Sequence, residues 1–226
     1  MDPDEKRSRI LAVVGMTREA KILDGPEPLI GGGDAAALVK RLEAELSHGA
    51  AGVISFGLCG GLAPSLKVGD LVIGEAAVDA ETFQSDPGWT RRLAAAFPGA
   101  AHGRFAWARR PVASAKEKAE LRERTGAIAV DLESYVAGVF AHKFAIPFAI
   151  VRAVSDAADR TLPHAAQVGL GSDGRPAIGA VLASLRDNPW QIGGLVRTAL
   201  EAEDGFHALE RAREALGPRL AGPAAA

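Results

Sequence analysis

Carboxylates at the ends of apolar runs are the side chains with the most chemistry to offer in this sequence. Asp156 closes the run 147-PFAIVRAVS-155, with the Ser155 hydroxyl beside it. At the mouth of a buried strand such a group either caps the next turn or, shielded from water, holds a proton near neutral pH and donates it. Asp131 and Glu133 precede an apolar-striped stretch, where carboxylates satisfy free helix N–H groups and favour the helix dipole. Glu19, in the first turn of another such stretch, has the same structural reading.

Glycines supply the second feature. The run VISF breaks into Gly57-Leu58-Cys59-Gly60-Gly61 before a second run, DLVIG. Such a break either turns the chain through positive φ or leaves the backbone bare for a flat ligand. Cys59 reads as a small buried apolar residue, because no His or Lys lies close in sequence to activate its thiol. The segment 31-GGGDAA-36 would suit an anion at Gly33 through helix N-terminal N–H groups. The acidic residue that a dinucleotide site needs after the next strand is replaced here by Phe56-Gly57, so a glycine turn before a helix is the competing reading.

These residues need elements to position them. Ile10 to Val14 reads as a strand followed by a helix from Thr17. Asp34 caps a helix over Ala35 to Leu46, with Leu38, Leu42 and Leu46 on one face. Val53 to Phe56, Asp70 to Ile73 and Pro147 to Ala153 lack polar alternation and read as strands buried on both faces. Residues 81 to 110 carry no clear pattern, residues 161 to 176 form a long loop able to cover a site, and a helical pattern runs from Ile178 to Leu216. Strands alternating with helices predict one three-layer α/β/α domain over 1–226 around a central sheet, with 1–8 and 217–226 as loose ends. Gly15, Gly57 and Ser155-Asp156 all fall at strand ends, where such sheets gather ligands.

Composition excludes several classes. With 26 basic and 28 acidic side chains the net charge is −2, so no global field attracts nucleic acid. One cysteine and five scattered histidines offer no disulfide and no metal site. Neither a signal peptide nor a transmembrane segment is legible, which predicts a cytoplasmic protein.

The stretches 52-GVISFGLCGGLAPSLKVGDLVIG-74, 129-AVDLESYVAGVFAHKFAIPFAIVRAVSDAAD-159 and 12-AVVGMTREAKIL-23 together resemble the nucleoside phosphorylase and nucleosidase superfamily, in its methylthioadenosine/adenosylhomocysteine nucleosidase branch. The loop 161-TLPHAAQVGLGSDGRP-176 and the helical tail look most like the hopanoid-associated phosphorylases. The resemblance implies a purine nucleoside phosphorylase-like fold with a mixed sheet, and an N-glycosidic bond as target. By position, Asp156 would protonate the purine leaving group, oriented by Ser155, while Glu133 would bind the ribose hydroxyls. Glu19 would activate water, from a place near enough to solvent to stay ionised. Leu132, Cys59 and Gly60 would line the nucleoside. No cofactor is implied beyond phosphate as a co-substrate, with Arg18 and Gly33 as its contacts. The partners implied are a soluble or lipid-linked nucleoside, peripheral membrane contact and a second copy in a homodimer.

Two departures bear on mechanism. Ser55 and Leu58 stand where phosphorylases of the bacterial purine type hold phosphate, which favours hydrolysis. The segment 113-ASAKEKAEL-121 replaces an aromatic base-stacking region, so base recognition must be arranged differently. In the hopanoid branch the substrate would be adenosylhopane, predicting an apolar channel beyond the ribose; the alternatives are a methylthioadenosine/adenosylhomocysteine nucleosidase and a catalytically silent binding relative.

Overall fold

The computed structural model describes residues 9–23, 28–167, 174–175 and 177–223. Its strands are β1 (Ile10–Val14), β2 (Pro28–Ile30), β3 (Gly52–Gly61), β4 (Leu71–Val78), β5 (Thr82–Gln84), β6 (Ala101–Trp107), β7 (Ala129–Asp131) and β8 (Phe148–Asp156). The helices are α1 (Thr17–Ile22), α2 (Ala35–Leu46), α3 (Pro87–Ala96), α4 (Ala115–Thr125), α5 (Ser134–Lys143), α6 (His164–Gln167), α7 (Ile178–Asp187) and α8 (Ile192–Leu216). The strands form one eight-stranded mixed sheet in the order β2-β1-β3-β7-β6-β4-β5, with β8 pairing both β3, in parallel, and β4, antiparallel. Because β7 also pairs β3 and β6, the five strands β3, β8, β4, β6 and β7 close into a ring.

The expected three layers are present. Along β1, Leu11 and Val13 point into one apolar cluster with Leu38 and Leu42 of α2 and Val136 and Phe140 of α5. Ile10, Ala12 and Val14 point the other way, into a cluster with Trp89 and Leu93 of α3 and Phe206, Leu209 and Ala212 of α8. Alternate side chains of a strand leave opposite faces, so an unbroken apolar run is what a sheet covered on both sides requires. Each fully buried Leu or Phe stabilises the fold by about 1.5–3 kcal/mol. Asp34 caps α2 as expected, accepting from the Ala37 N–H at 2.9 Å.

Several elements depart from the sequence reading. Residues 81–110, which carried no pattern, hold β5, α3 and β6; α3 is started by Asp86, whose Oδ1 accepts from the Trp89 N–H at 2.6 Å. The helix expected from Ile178 to Leu216 is broken at Asn188-Pro189 by one 3-10 turn, since proline cannot supply the N–H that a continuous helix needs. The segment at 161–176 contains α6, while 168–173 and 176 lie outside the described residues. The tail is anchored as far as it is described: Leu220 is fully buried and its carbonyl accepts from Trp89 Nε1 at 2.9 Å. Residues 1–8 and 224–226, read as loose, lie outside the described residues.

Candidate active site

The carboxyl ends of β1, β3 and β8 and the end of β7 surround a cleft of about 540 Å³. Glu19, Leu58, Cys59, Gly60, Leu132, Glu133, Ser155 and Asp156 all line it, as does Arg18; Gly33 does not. A Cβ at Gly33 would meet the Leu132 side chain at 3.5 Å, which places this glycine behind the wall and not in it.

Glu19 stands at the third position of α1, and the short turn after β1 folds its side chain back onto the backbone. Oε2 accepts from the Gly15 and Met16 N–H groups at 2.6 and 2.8 Å, and Oε1 accepts from the Leu58 N–H at 2.6 Å. It is buried, against the expectation of a site near water. Burial pushes its carboxyl up, opposed by the Arg152 charge and by those three N–H groups. The result is a carboxylate held rigidly by backbone, spanning two strand ends.

Glu133 is the residue before α5 and makes no cap hydrogen bond, contrary to its structural reading; Asp131 does the capping, accepting from the Ser134 N–H at 3.0 Å and from the Ser134 hydroxyl. Glu133 is freed to face the cleft. Burial pushes its carboxyl up to about 7, with Arg152 working against that and Asp131 and Glu19 adding to it. Gly15 and Gly31 make room for it: a Cβ at Gly31 would lie 2.6 Å from Glu133 Cγ.

Arg152, which the sequence did not single out, joins these acids. It is 1% exposed and belongs to β8, directly opposite Gly57 of β3. Its guanidinium donates to Ser55 Oγ at 2.6 Å, to the Leu58 carbonyl at 3.0 Å and to Glu133 Oε2 at 3.1 Å. Its Nε lies 2.8 Å from Asp131 Oδ2, a charge contact off the N–H axis and not an aligned hydrogen bond. Burial works against its charge, and the carboxylates of Asp131, Glu133 and Glu19 outweigh it, holding the guanidinium more firmly charged than usual. Ser55 is fully buried beneath the site, with its Oγ 2.9 Å from Ser134 Oγ.

At the end of β8, Ser155 Oγ lies 2.7 Å from Asp156 Oδ1 and 3.2 Å from the Cys59 carbonyl. Asp156 Oδ2 receives a hydrogen bond from Lys118 Nζ at 2.5 Å, and the same ammonium donates to the Ala157 carbonyl at 2.7 Å. Burial alone was expected to shape this acid; the structure adds a cation. Lys118 comes from the segment 113–121, where the sequence raised a question about base recognition, and it is fully buried while its neighbour Lys116 is exposed. Cys59 is buried, and burial pushes its thiol well above the ordinary range, so it is a wall residue and no nucleophile.

Arg18 is committed elsewhere. Both of its terminal nitrogens donate to Glu203 of α8, and its guanidinium lies 3.9 Å from the centre of the Phe206 ring. Beyond the acids the wall is apolar: Leu162, Ala165 and Ala166 from the start of the covering segment, Val181 from α7, and Leu195, Ala199, Ala202 and Phe206 from α8. These residues come from the 161–176 segment and the C-terminal helices.

Residues 10–185 match the family model of the phosphorylase superfamily. The chain belongs to the phosphorylase superfamily. The superfamily fold also appears in solved structures similar to this one. Futalosine hydrolase of Helicobacter pylori is 15% identical, with a TM-score of 0.63 over 89% of this chain and 95% of that one. A 5′-methylthioadenosine/S-adenosylhomocysteine nucleosidase from the same organism is 14% identical, with a TM-score of 0.62 over 90% and 96%. The S-adenosylhomocysteine nucleosidase of Streptococcus pyogenes is 17% identical, with a TM-score of 0.59 over 88% and 96%. At these identities the likeness establishes the common fold. Among the described residues of this superfamily member, no helix is long and apolar enough to cross a membrane.

Proposed function

We propose that the protein hydrolyses the N-glycosidic bond of an adenosine bearing a bulky apolar 5′ substituent, with adenosylhopane as the substrate, and releases adenine. The observation that carries this reading is one cleft combining clustered buried acids with an apolar wall built by α6, α7 and α8. Breaking a C1′–N9 bond develops positive charge on the sugar and needs a protonated leaving base. Asp156 serves the base, and Glu133 accepts hydrogen bonds from the ribose hydroxyls. Glu19, spanning Gly15, Met16 and Leu58, orients water toward C1′ and takes its proton.

Hydrolysis is favoured over phosphorolysis by the charges. The described lining residues include five acids, Glu19, Asp131, Glu133, Asp156 and Glu203, against the guanidiniums of Arg18 and Arg152. Both guanidiniums are already ion-paired. Such a field attracts a cationic transition state and repels phosphate.

The 5′ substituent is argued from the wall. A triterpene-sized body must be removed from water, and pockets for ligands of that class run to several hundred Å³ with mostly apolar linings. Helices α7 and α8 also carry Ile178, Leu182, Ile192, Val196 and Leu200 exposed on their outer faces, with Trp190 of the turn between them 92% exposed. Apolar surface of that extent suits contact with another molecule or a membrane.

Adenine release from adenosylhopane and from methylthioadenosine, each with and without phosphate, tests the proposal. Phosphate-independent release favouring the lipid nucleoside is expected. Preference for methylthioadenosine would replace the substrate, a phosphate requirement would replace hydrolysis, and no release from either would leave a binding protein.

A further inference from the structure

A buried ion pair at an active-site wall needs a reason, because removing two charges from water costs several kcal/mol per ion and their attraction only partly returns it. Lys118 and Asp156 are such a pair. Stability alone does not account for it, since an apolar pair of the same volume would serve as well or better.

The surroundings are arranged to present this lysine. Ser114 starts α4 with a capping box: its Oγ accepts from the Glu117 N–H at 3.1 Å, and Glu117 reaches back to the Ser114 N–H at 3.1 Å. Arg110 donates to Glu117 at 2.8 Å and, with Ser114, holds that carboxyl down at about 2. The first turn of α4 is thereby locked before the chain reaches Lys118. Its ammonium meets Asp156 and the Ala157 carbonyl, both at the end of β8. Asp156 lines the cleft; Lys118 does not. Gly60 keeps the cleft side of the pair open, as a Cβ there would lie 3.3 Å from Asp156 Oδ2.

Lys118 Nζ donates to Asp156 Oδ2, while Oδ1 lies 2.7 Å from Ser155 Oγ, so the ammonium is a proton donor in direct contact with the acid. We propose that Lys118 is the proton reservoir of the leaving-group acid, delivering its Nζ proton through Asp156 to the departing base. The inference rests on the N-glycosidase reading. As the C1′–N9 bond breaks, its electron pair passes into the purine, a new N–H bond forms on the base, and one Nζ–H bond of Lys118 breaks. Lys118 becomes a neutral amine, and the base leaves neutral. The Lys118–Asp156 pair then carries one net negative charge facing the positive sugar. Water adds at C1′, its proton goes to Glu19, and exchange with solvent after product release returns a proton to Lys118. Lys118 touches no substrate and is a positioning residue in this scheme.

Lysine and arginine separate the roles. An arginine keeps the positive charge beside Asp156 and never deprotonates in a protein. The experiment is steady-state kinetics of wild type, Lys118→Arg and Lys118→Met on an adenosine substrate that wild type cleaves, with melting curves for each. The expected result is a kcat lower by about a hundred- to ten-thousandfold in Lys118→Arg, with KM within about threefold and the fold retained. Lys118→Met should fall similarly. A Lys118→Arg kcat within about threefold of wild type would overturn the inference, leaving Lys118 a counter-ion. A loss falling on KM with kcat preserved would overturn it too, leaving a packing role. Should Lys118→Met not fold, Lys118→Arg alone decides. If wild type cleaves no nucleoside, the N-glycosidase reading has failed, and the inference with it.

Discussion

Gly57 is bare because Glu19 occupies the space its side chain would take: a Cβ at Gly57 would lie 2.5 Å from Glu19 Oε1. The glycine break of β3 and the acid of α1 are therefore one device. Replacing Gly57 by alanine should push Glu19 off the Leu58 N–H, lowering kcat by tenfold or more and stability by about 1–3 kcal/mol. Kinetics and urea denaturation of Gly57→Ala check this; an unaltered kcat would separate Glu19 from the chemistry.

Asp156→Asn should lower kcat by about a hundred- to ten-thousandfold. It should also destabilise the fold, because Lys118 stays buried without its counter-charge, at a cost on the order of 3–5 kcal/mol. The double variant Asp156→Asn with Lys118→Met should recover much of that stability and none of the activity. A thermal-denaturation cycle measures the coupling, and strictly additive losses would count against the ion pair.

Arg152 holds Asp131 and Glu133 together from 1% exposure. Arg152→Met leaves both acids facing each other with no cation, and should cost about 3–5 kcal/mol, read as a lower urea midpoint. The deficit should shrink at acid pH, where Glu133 becomes neutral.

Glu133 titrates at about 7 in the fold, above the unfolded value of about 4.3. Between those values the folded state binds more protons than the unfolded one, so this group makes stability fall as pH rises from about 4 to about 7, after which the loss is complete. Burial raises Glu19 in the same direction. Glu133→Gln should flatten that fall, seen as a smaller difference in urea midpoint between pH 5 and pH 8 than wild type shows. A steeper dependence in the variant would contradict the assignment.

Ala199 and Ala202 of α8 keep the apolar wall low. Ala199→Phe should reduce kcat/KM for a lipid-tailed nucleoside by at least tenfold more than for methylthioadenosine, measured by adenine release. Equal losses on both would move the 5′ substituent away from this wall.

The strands β1, β3, β4 and β8 and the acids were legible in the sequence for a simple reason. Unbroken apolar runs ending in glycine or carboxylate leave little choice but a covered sheet with its ligand at the strand ends, and Glu19, Glu133, Ser155 and Asp156 do meet there. Arg152 was hidden because it sits inside one of those runs, where its charge reads as an interruption; its purpose appears only when β3, β7 and β8 bring their partners around it. Lys118 was hidden by its neighbours. In the sequence KEK nothing tells an inward lysine from an outward one until the capping box at Ser114 sets the phase of α4. The strands of 81–110 escaped for a third reason, since β6 and the three-residue β5 depend on pairing with β4.

The ring of β3, β8, β4, β6 and β7 has a further effect, on how molecules of this protein meet in a crowded solution. Strands that pair on both sides offer no free backbone, so among the described residues the sheet ends at β2 and β5, each three residues long. Pro28 opens β2 without an N–H to offer, and Glu81 precedes β5 with a charge. Edges this short are poor templates for another strand, and a sheet built from some of the most apolar segments of the chain is thereby kept from growing beyond the molecule.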